Sequence, residues 1–212
     1  MSNNYYKLIK TTKVHNPNYK EHGLVIPFRM LICGSSGSGK TNMLLDLIHR
    51  TSGTFKNIII CCRSKEEPLY QYLENKIPDG LTFIEVSEPE DYPELDNIEP
   101  QTLMVFDDLI LEKDQSRIGE FFIRGRKKMI SCIYISQSYF KTPKIIRQQC
   151  NYIVLKKINS NRDLSLILAD FPLDVSLDEL KSIYMSCSKG IEQFLMIDTG
   201  NNNFRKNYNI IK

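Results

Sequence analysis

Gly34-Ser35-Ser36-Gly37-Ser38-Gly39-Lys40-Thr41 fits the pattern G-x-x-x-x-G-K-[ST] at every constrained position. The run before it, Met30-Leu31-Ile32-Cys33, is continuously apolar and reads as a buried strand. The run after it, Asn42-Met43-Leu44-Leu45-Asp46-Leu47-Ile48, reads as a helix. Strand, glycine loop and helix in that order make a cradle for phosphate. The glycines let backbone N–H groups turn inward around an anion, and the helix N-terminus adds partial positive charge. Lys40 then reaches the β- and γ-phosphates of a nucleotide, and the Thr41 hydroxyl is a ligand for Mg²⁺. Gly34 to Thr41, with Asn42 just beyond, is the candidate nucleotide-binding set. A small-residue turn with a chance lysine is the plain alternative, and the flanking strand and helix argue against it.

The 212 residues are read as a single domain, with residues 1–23 as an extended N-terminal arm. Hydrophobic residues make up 42% and charged residues 25%, as in ordinary globular proteins. No run of 18 apolar residues occurs, so no membrane-spanning segment is expected, and the polar start Met1-Ser2-Asn3-Asn4 is not a signal peptide. The six cysteines lie mostly within apolar runs and none forms C-x-x-C, which points to reduced, buried thiols and an intracellular setting. A net charge of only +3 neither requires nor excludes nucleic acid, so any DNA contact has to be local.

Outward from the loop, apolar runs alternate with helical spacing. Strands are read at 28–33, 55–62, 81–86, 102–107, 129–137 and 152–157. Helices are read at 40–51, 66–75, 115–126 and 143–150, with an acidic loop holding a short helix at 88–100. Nearly continuous apolar strands alternating with helices mean an α/β fold: a central, mainly parallel β-sheet with helices on both faces, as in a P-loop NTPase. Past residue 160 two helices (162–169 and 177–186) precede two strands (193–198 and 203–209), expected as C-terminal antiparallel edge strands joined by a turn at Gly200-Asn201-Asn202.

Hydrolysis needs more than a phosphate loop. Leu103-Met104-Val105-Phe106-Asp107-Asp108 is an apolar strand ending in two carboxylates, the Walker B pattern. Asp107 is the second candidate metal ligand beside Thr41, and Asp108 is the candidate for orienting and polarising water. A solvated acidic turn is the competing reading. The next core strand ends at Gln137, a position that in an open α/β sheet falls in the ligand crevice and suits a γ-phosphate sensor. Between them lies Arg124-Gly125-Arg126-Lys127-Lys128. This is either a solvated basic surface or a source of an arginine that reaches a neighbouring subunit's site, with Arg126 first choice and Arg124 and Arg147 as alternatives.

Taken together, GSSGSGKT, VFDDL at 105–109, Gly125-Arg126 and ISQSYF at 135–140 resemble the viral genome-packaging ATPases of the FtsK–HerA superfamily, the poxvirus-like packaging ATPases of large DNA viruses and virophages. The resemblance covers roughly residues 24–160. Relatives often carry His after the Gly-Arg pair, where this chain has Lys127. The resemblance implies a homo-oligomeric ring that uses ATP and Mg²⁺ to drive double-stranded DNA, without sequence preference, into a capsid. It also implies capsid or vertex proteins as partners, and a location in the host cytoplasm (the viral factory) or the virion.

Three other readings use the same loop. A nucleotide kinase would need an acceptor pocket and an Arg-rich lid. A GTPase would need N-K-x-D, whereas Asn75-Lys76-Ile77-Pro78 ends in Pro. A DNA-associated accessory or helicase-loader ATPase needs the same site as a packaging motor. Basic and aromatic positions that offer themselves to DNA are Lys141, Lys144, Arg147, Lys156, Lys157, Arg205 and Lys206, with Tyr139 and Phe140 nearby.

Overall fold

The computed structural model describes residues 14–111 and 114–212; the first 13 residues of the expected arm lie outside the described part. The phosphate-loop strand β1 (Arg29–Cys33) is central in a nine-stranded sheet. On one side of it stand β5 (Ser131–Ser136), β4 (Thr102–Asp107), β2 (Asn57–Cys62) and β3 (Leu81–Glu85), all parallel. On the other side stands β6 (Tyr152–Leu155), also parallel, followed by β7 (Leu195–Asp198), β8 (Asn203–Lys206) and β9 (Asn209–Ile210), each antiparallel to its neighbour. Parallel strands covered on both faces carry apolar side chains on both, which is why β1, β4, β5 and β6 read as unbroken apolar runs.

Alternate residues of each strand feed two cores. Met30 and Ile32 face α2 (Lys40–Arg50) and α3 (Pro68–Lys76), packing with Leu44, Leu47 and Tyr70. Leu31 and Cys33 face the opposite layer, with Phe121 and Phe122 of α4 (Ser116–Arg124), Leu164 of α6 (Asn161–Asp170) and Leu180 of α7 (Leu177–Cys187). A short α1 (Tyr19–His22) precedes β1, and α5 (Lys144–Arg147) precedes β6. All six cysteines are buried and unpaired.

Three boundaries differ from the sequence reading. The helix read at 115–126 stops at Arg124 and tightens into a 3₁₀ turn over Gly125–Lys128, closed by Met129 at φ 61°. The helix read at 143–150 is one turn, since Gln149 N and Cys150 N bond only three residues back. The last strand is two: Asn207 adopts φ 56° and its side chain accepts from Phe194 N at 3.0 Å, which breaks the ladder between β8 and β9. Among the described residues no helix is long and apolar enough to cross a membrane.

Candidate active site

The carboxyl ends of β4, β5, β1 and β6 stand side by side, and the segments that leave them build the site. Leaving β1, Gly34 N donates to Ser136 O at 3.1 Å and Ser35 N donates to Lys157 O at 2.7 Å. The loop is thus tied to the strand ends on both flanks. Gly34 has no room for a side chain: a Cβ there would lie 2.5 Å from Ser38 Oγ and 2.6 Å from Lys156 Cβ. Gly39 sits at φ 86° directly before α2, and a Cβ on it would come within 2.6 Å of Ile191 Cγ1. Both glycines are therefore required by close packing, and the second also by its left-handed backbone. Lys40 opens α2 and folds back so that Nζ donates to Ser35 O at 3.1 Å. Ser38 Oγ is buried with no hydrogen-bond partner among the described residues. An orphaned hydroxyl inside the loop fits a cradle shaped for an anion.

Because β5 is inserted between β1 and β4, Gln137 comes to lie between the phosphate loop and the acidic pair. Asp107, the last residue of β4, accepts from the Tyr70 hydroxyl at 2.5 Å. Burial pushes the Asp107 carboxyl up to about 6; the Tyr70 hydrogen bond opposes this, the neighbouring Asp108 and Glu67 add to it, and Lys40 opposes it. Asp108 stands at φ 53°, and this left-handed step turns its side chain off the strand line. Its Oδ1 accepts from Gln137 Nε2 at 3.4 Å. Lys40, Thr41, Tyr70, Asp107, Asp108 and Gln137 border one cleft of about 680 Å³. No group of three or more His, Cys, Asp or Glu is gathered tightly enough among the described residues to hold a metal alone. Thr41 and Asp107 fit instead the pattern of Mg²⁺, which takes one or two protein oxygens and completes its shell with phosphates and water.

Behind Gln137 the segment 138–142 is anchored to α6. Ser138 Oγ and Phe140 N both donate to Asp163 Oδ1, at 3.1 and 2.9 Å. Tyr139 Oη donates to Asp170 Oδ2 at 2.9 Å, and Arg147 Nε donates to the same oxygen at 2.6 Å.

Arg126 does not join this cleft in its own chain. It precedes β5 whereas Gln137 follows it, so six residues of strand, roughly 20 Å, separate the two. It is exposed, and the positive charge that it presents helps, after burial, to lower the pKa of Arg29. Arg124 bonds Glu120, and Arg147 is locked on Asp170. Of the positions offered to DNA, Lys156 and Arg205 are buried, as is Tyr139, while Lys141, Lys144, Lys157 and Lys206 are exposed. The sequence reading missed Tyr70, Glu67 and Arg63 in the cleft wall and Ile191 at its rim. Arg63 was findable as the polar residue that follows an apolar strand parallel to β4; Ile191 carries no local signal.

A family model described as Poxvirus A32 protein matches residues 17–203. No curated protein matches the chain in sequence. Among solved structures, the genome packaging NTPase B204 from Sulfolobus turreted icosahedral virus 2 in complex with AMP superposes with a TM-score of 0.64 at 13% identity, over 89% of this chain and 100% of that one. The same protein in complex with ATP-γS gives a TM-score of 0.62 at 14% identity, over 89% and 100%. EssC (ATPases 2 and 3) from Geobacillus thermodenitrificans gives 0.58 at 9% identity, over 87% of this chain and 40% of that one. At such identities the likeness shows the fold, that of a P-loop ATPase.

Proposed function

The chain belongs to the Poxvirus A32 protein family, and on that premise we propose that it is an ATP-hydrolysing motor that moves double-stranded DNA into a viral capsid. The observation that carries the reading is the convergence of the 34–41 loop, Asp107, Asp108 and Gln137 on one cleft. It is supported by the likeness to a protein described as a genome packaging NTPase, solved with AMP and with ATP-γS.

The phosphates of ATP lie in the loop, met by backbone N–H groups, the Ser38 hydroxyl and the Lys40 ammonium. Thr41 and Asp107 would hold Mg²⁺, whose positive charge would offset that of the phosphate oxygens. Asp108 accepts a proton from the water that attacks the γ-phosphorus, as the bond to the bridging β–γ oxygen breaks and ADP leaves. Gln137, hydrogen-bonded to Asp108, positions that water and senses the γ-phosphate. Arg126 of a neighbouring subunit stabilises the charge that develops on the transferred group, which requires subunits side by side, as a homo-oligomeric ring supplies. DNA is held through its phosphates by exposed lysines, without base reading. The capsid or vertex proteins are the docking partners, and the work is done in the host cytoplasm, at the viral factory, or in the virion.

The test is the steady-state ATPase rate at low salt, with and without long double-stranded DNA, across protein concentration. Stimulation by DNA that rises cooperatively with protein is expected. A rate indifferent to both would sink the motor reading and favour phosphoryl transfer to a small acceptor.

A further inference from the structure

The catalytic carboxylates and Gln137 all lie on one flank of the phosphate loop, at the ends of β4 and β5. A triphosphate whose γ-phosphate faces them must send its nucleoside toward the other flank, over β6 and the segment that leads into β7. There the chain at 188–193 folds back across the loop. Ile191 is 60% exposed although apolar, lines the same cleft as Lys40, and packs on Gly39 closely enough that a Cβ would sit 2.6 Å from its Cγ1. A Cβ on the preceding Gly190 would meet nothing within 4 Å, so open space adjoins it.

The position of Ile191 is fixed by a second, unusual group. Lys156 is only 1% exposed, and its Nζ donates to the Ile191 carbonyl while standing 5.7 Å over the Phe194 ring. Its own backbone is held twice, by Lys156 N on Cys33 O at 2.8 Å and by Tyr184 Oη on Lys156 O at 3.1 Å. Its Cβ is the atom that abuts Gly34. Burying an ammonium is costly unless it is bonded. Here it ties Ile191 in fixed register to the first residue of the phosphate loop.

We propose that Ile191 is the shelf on which the nucleobase of the bound nucleotide lies, and that Lys156 positions this shelf relative to the phosphates. The inference rests on the nucleotide-site reading above. An aliphatic face against a planar base, with the backbone of 190–191 beside it, suits a purine or pyrimidine ring and contributes nothing to phosphate.

That asymmetry supplies the experiment. Binding of Mg·ATP and of Mg·tripolyphosphate to the full chain is measured by titration calorimetry for the wild type, Ile191→Ala, Lys156→Met and Lys40→Ala. The wild type should prefer ATP. Ile191→Ala should weaken ATP about tenfold and leave tripolyphosphate within twofold; Ile191 is exposed, so the fold is retained. Lys156→Met should reduce the same ratio by a smaller factor. Unchanged ATP affinity in Ile191→Ala, or a parallel loss of both ligands, would overturn the shelf. Failure of the wild type to bind either ligand would remove the nucleotide-site reading and the shelf with it. Lys40→Ala should lose both ligands, which separates the two cases.

Discussion

Asp108 sits where few side chains other than Asn and Asp settle, in the left-handed region at φ 53°. The step turns a carboxylate that would otherwise follow the alternation of the strand toward Gln137 and the cleft. Its neighbour Asp107 instead faces Tyr70. Two adjacent carboxylates thus acquire different partners from one backbone angle. Asp108→Asn should keep ATP binding within about twofold and lower turnover by about 10²–10⁴. Nucleotide titration and phosphate-release rates check this, and normal turnover would take the proton-accepting role from Asp108. A second residue adds its own pH dependence to stability. His22 is buried, with Nδ1 accepting from Leu24 N at 3.0 Å and Nε2 on Asn16 Oδ1 at 3.2 Å. Burial lowers its pKa; Glu21 opposes this, and Arg205 and Arg50 add to it. The folded pKa therefore lies below the unfolded value of about 6.5. The unfolded chain takes up the proton first, so the contribution of His22 to stability is full above about pH 6.5 and declines as pH falls below it. His22→Gln should flatten that decline. Denaturant midpoints at neutral and mildly acid pH measure it, and an equal fall in both proteins would assign the sensitivity elsewhere.

At the scale of elements, the segment after β5 shows how the cleft is coupled to the helical layer. Asp163 and Asp170 of α6 receive four of its hydrogen bonds, counting that from Arg147, and the Arg162 guanidinium lies 3.6 Å from the Phe140 ring centroid. Asp170 and Arg147 are largely buried, with side chains 7% and 12% exposed. Asp170→Ala leaves the guanidinium with only the Thr142 carbonyl and the Tyr139 hydroxyl without its acceptor, and should cost about 3–5 kcal/mol, a fall in melting temperature of roughly 10 °C. Calorimetric melting of the variant tests this; a shift under about 2 °C would mean that the pair is replaceable by water. The same segment marks what the sequence discloses. The phosphate loop, the Walker strand and Gln137 were legible because each is written in consecutive residues with a fixed period. Arg147, Lys156 and Arg205 read as surface cations, yet each is held against a partner far along the chain: Asp170, the Ile191 carbonyl, and the His22 and Gly23 carbonyls. Such pairings are set by the fold, and local composition does not encode them. The break at Asn207 escaped for a related reason, since it depends on a bond to Phe194 across the hairpin.

For the whole molecule, Arg126 and the phosphate cleft lie at opposite ends of the sheet. For Arg126 to serve a cleft as proposed, a neighbour has to be placed head to tail, an arrangement that closes into a ring when the rotation allows. Arg126→Ala should bind ATP normally and lose about 10³–10⁵ in turnover. Mixed with Lys40→Ala subunits, it should regain activity, because each variant supplies what the other lacks. Absence of rescue, or hydrolysis by isolated monomers as fast as by any assembly, would exclude an arginine acting in trans.

The place of β1 in the sheet also sets an order of events during synthesis. Both strands that flank it come late: Phe28 bonds Ser131 and Arg29 bonds Asn151, separations of 103 and 122 residues. The ties that give the phosphate loop its shape come from Ser136 and Lys157. A nascent chain emerging N-terminus first carries residues 34–41 long before it carries their supports. The loop therefore acquires its shape only after residue 157 has been made, and the segment at 188–193 that overlies Gly39 follows later still. Distant pairing of this kind slows folding. It also means that the shape of the phosphate loop arises only once β5 and β6 have joined β1.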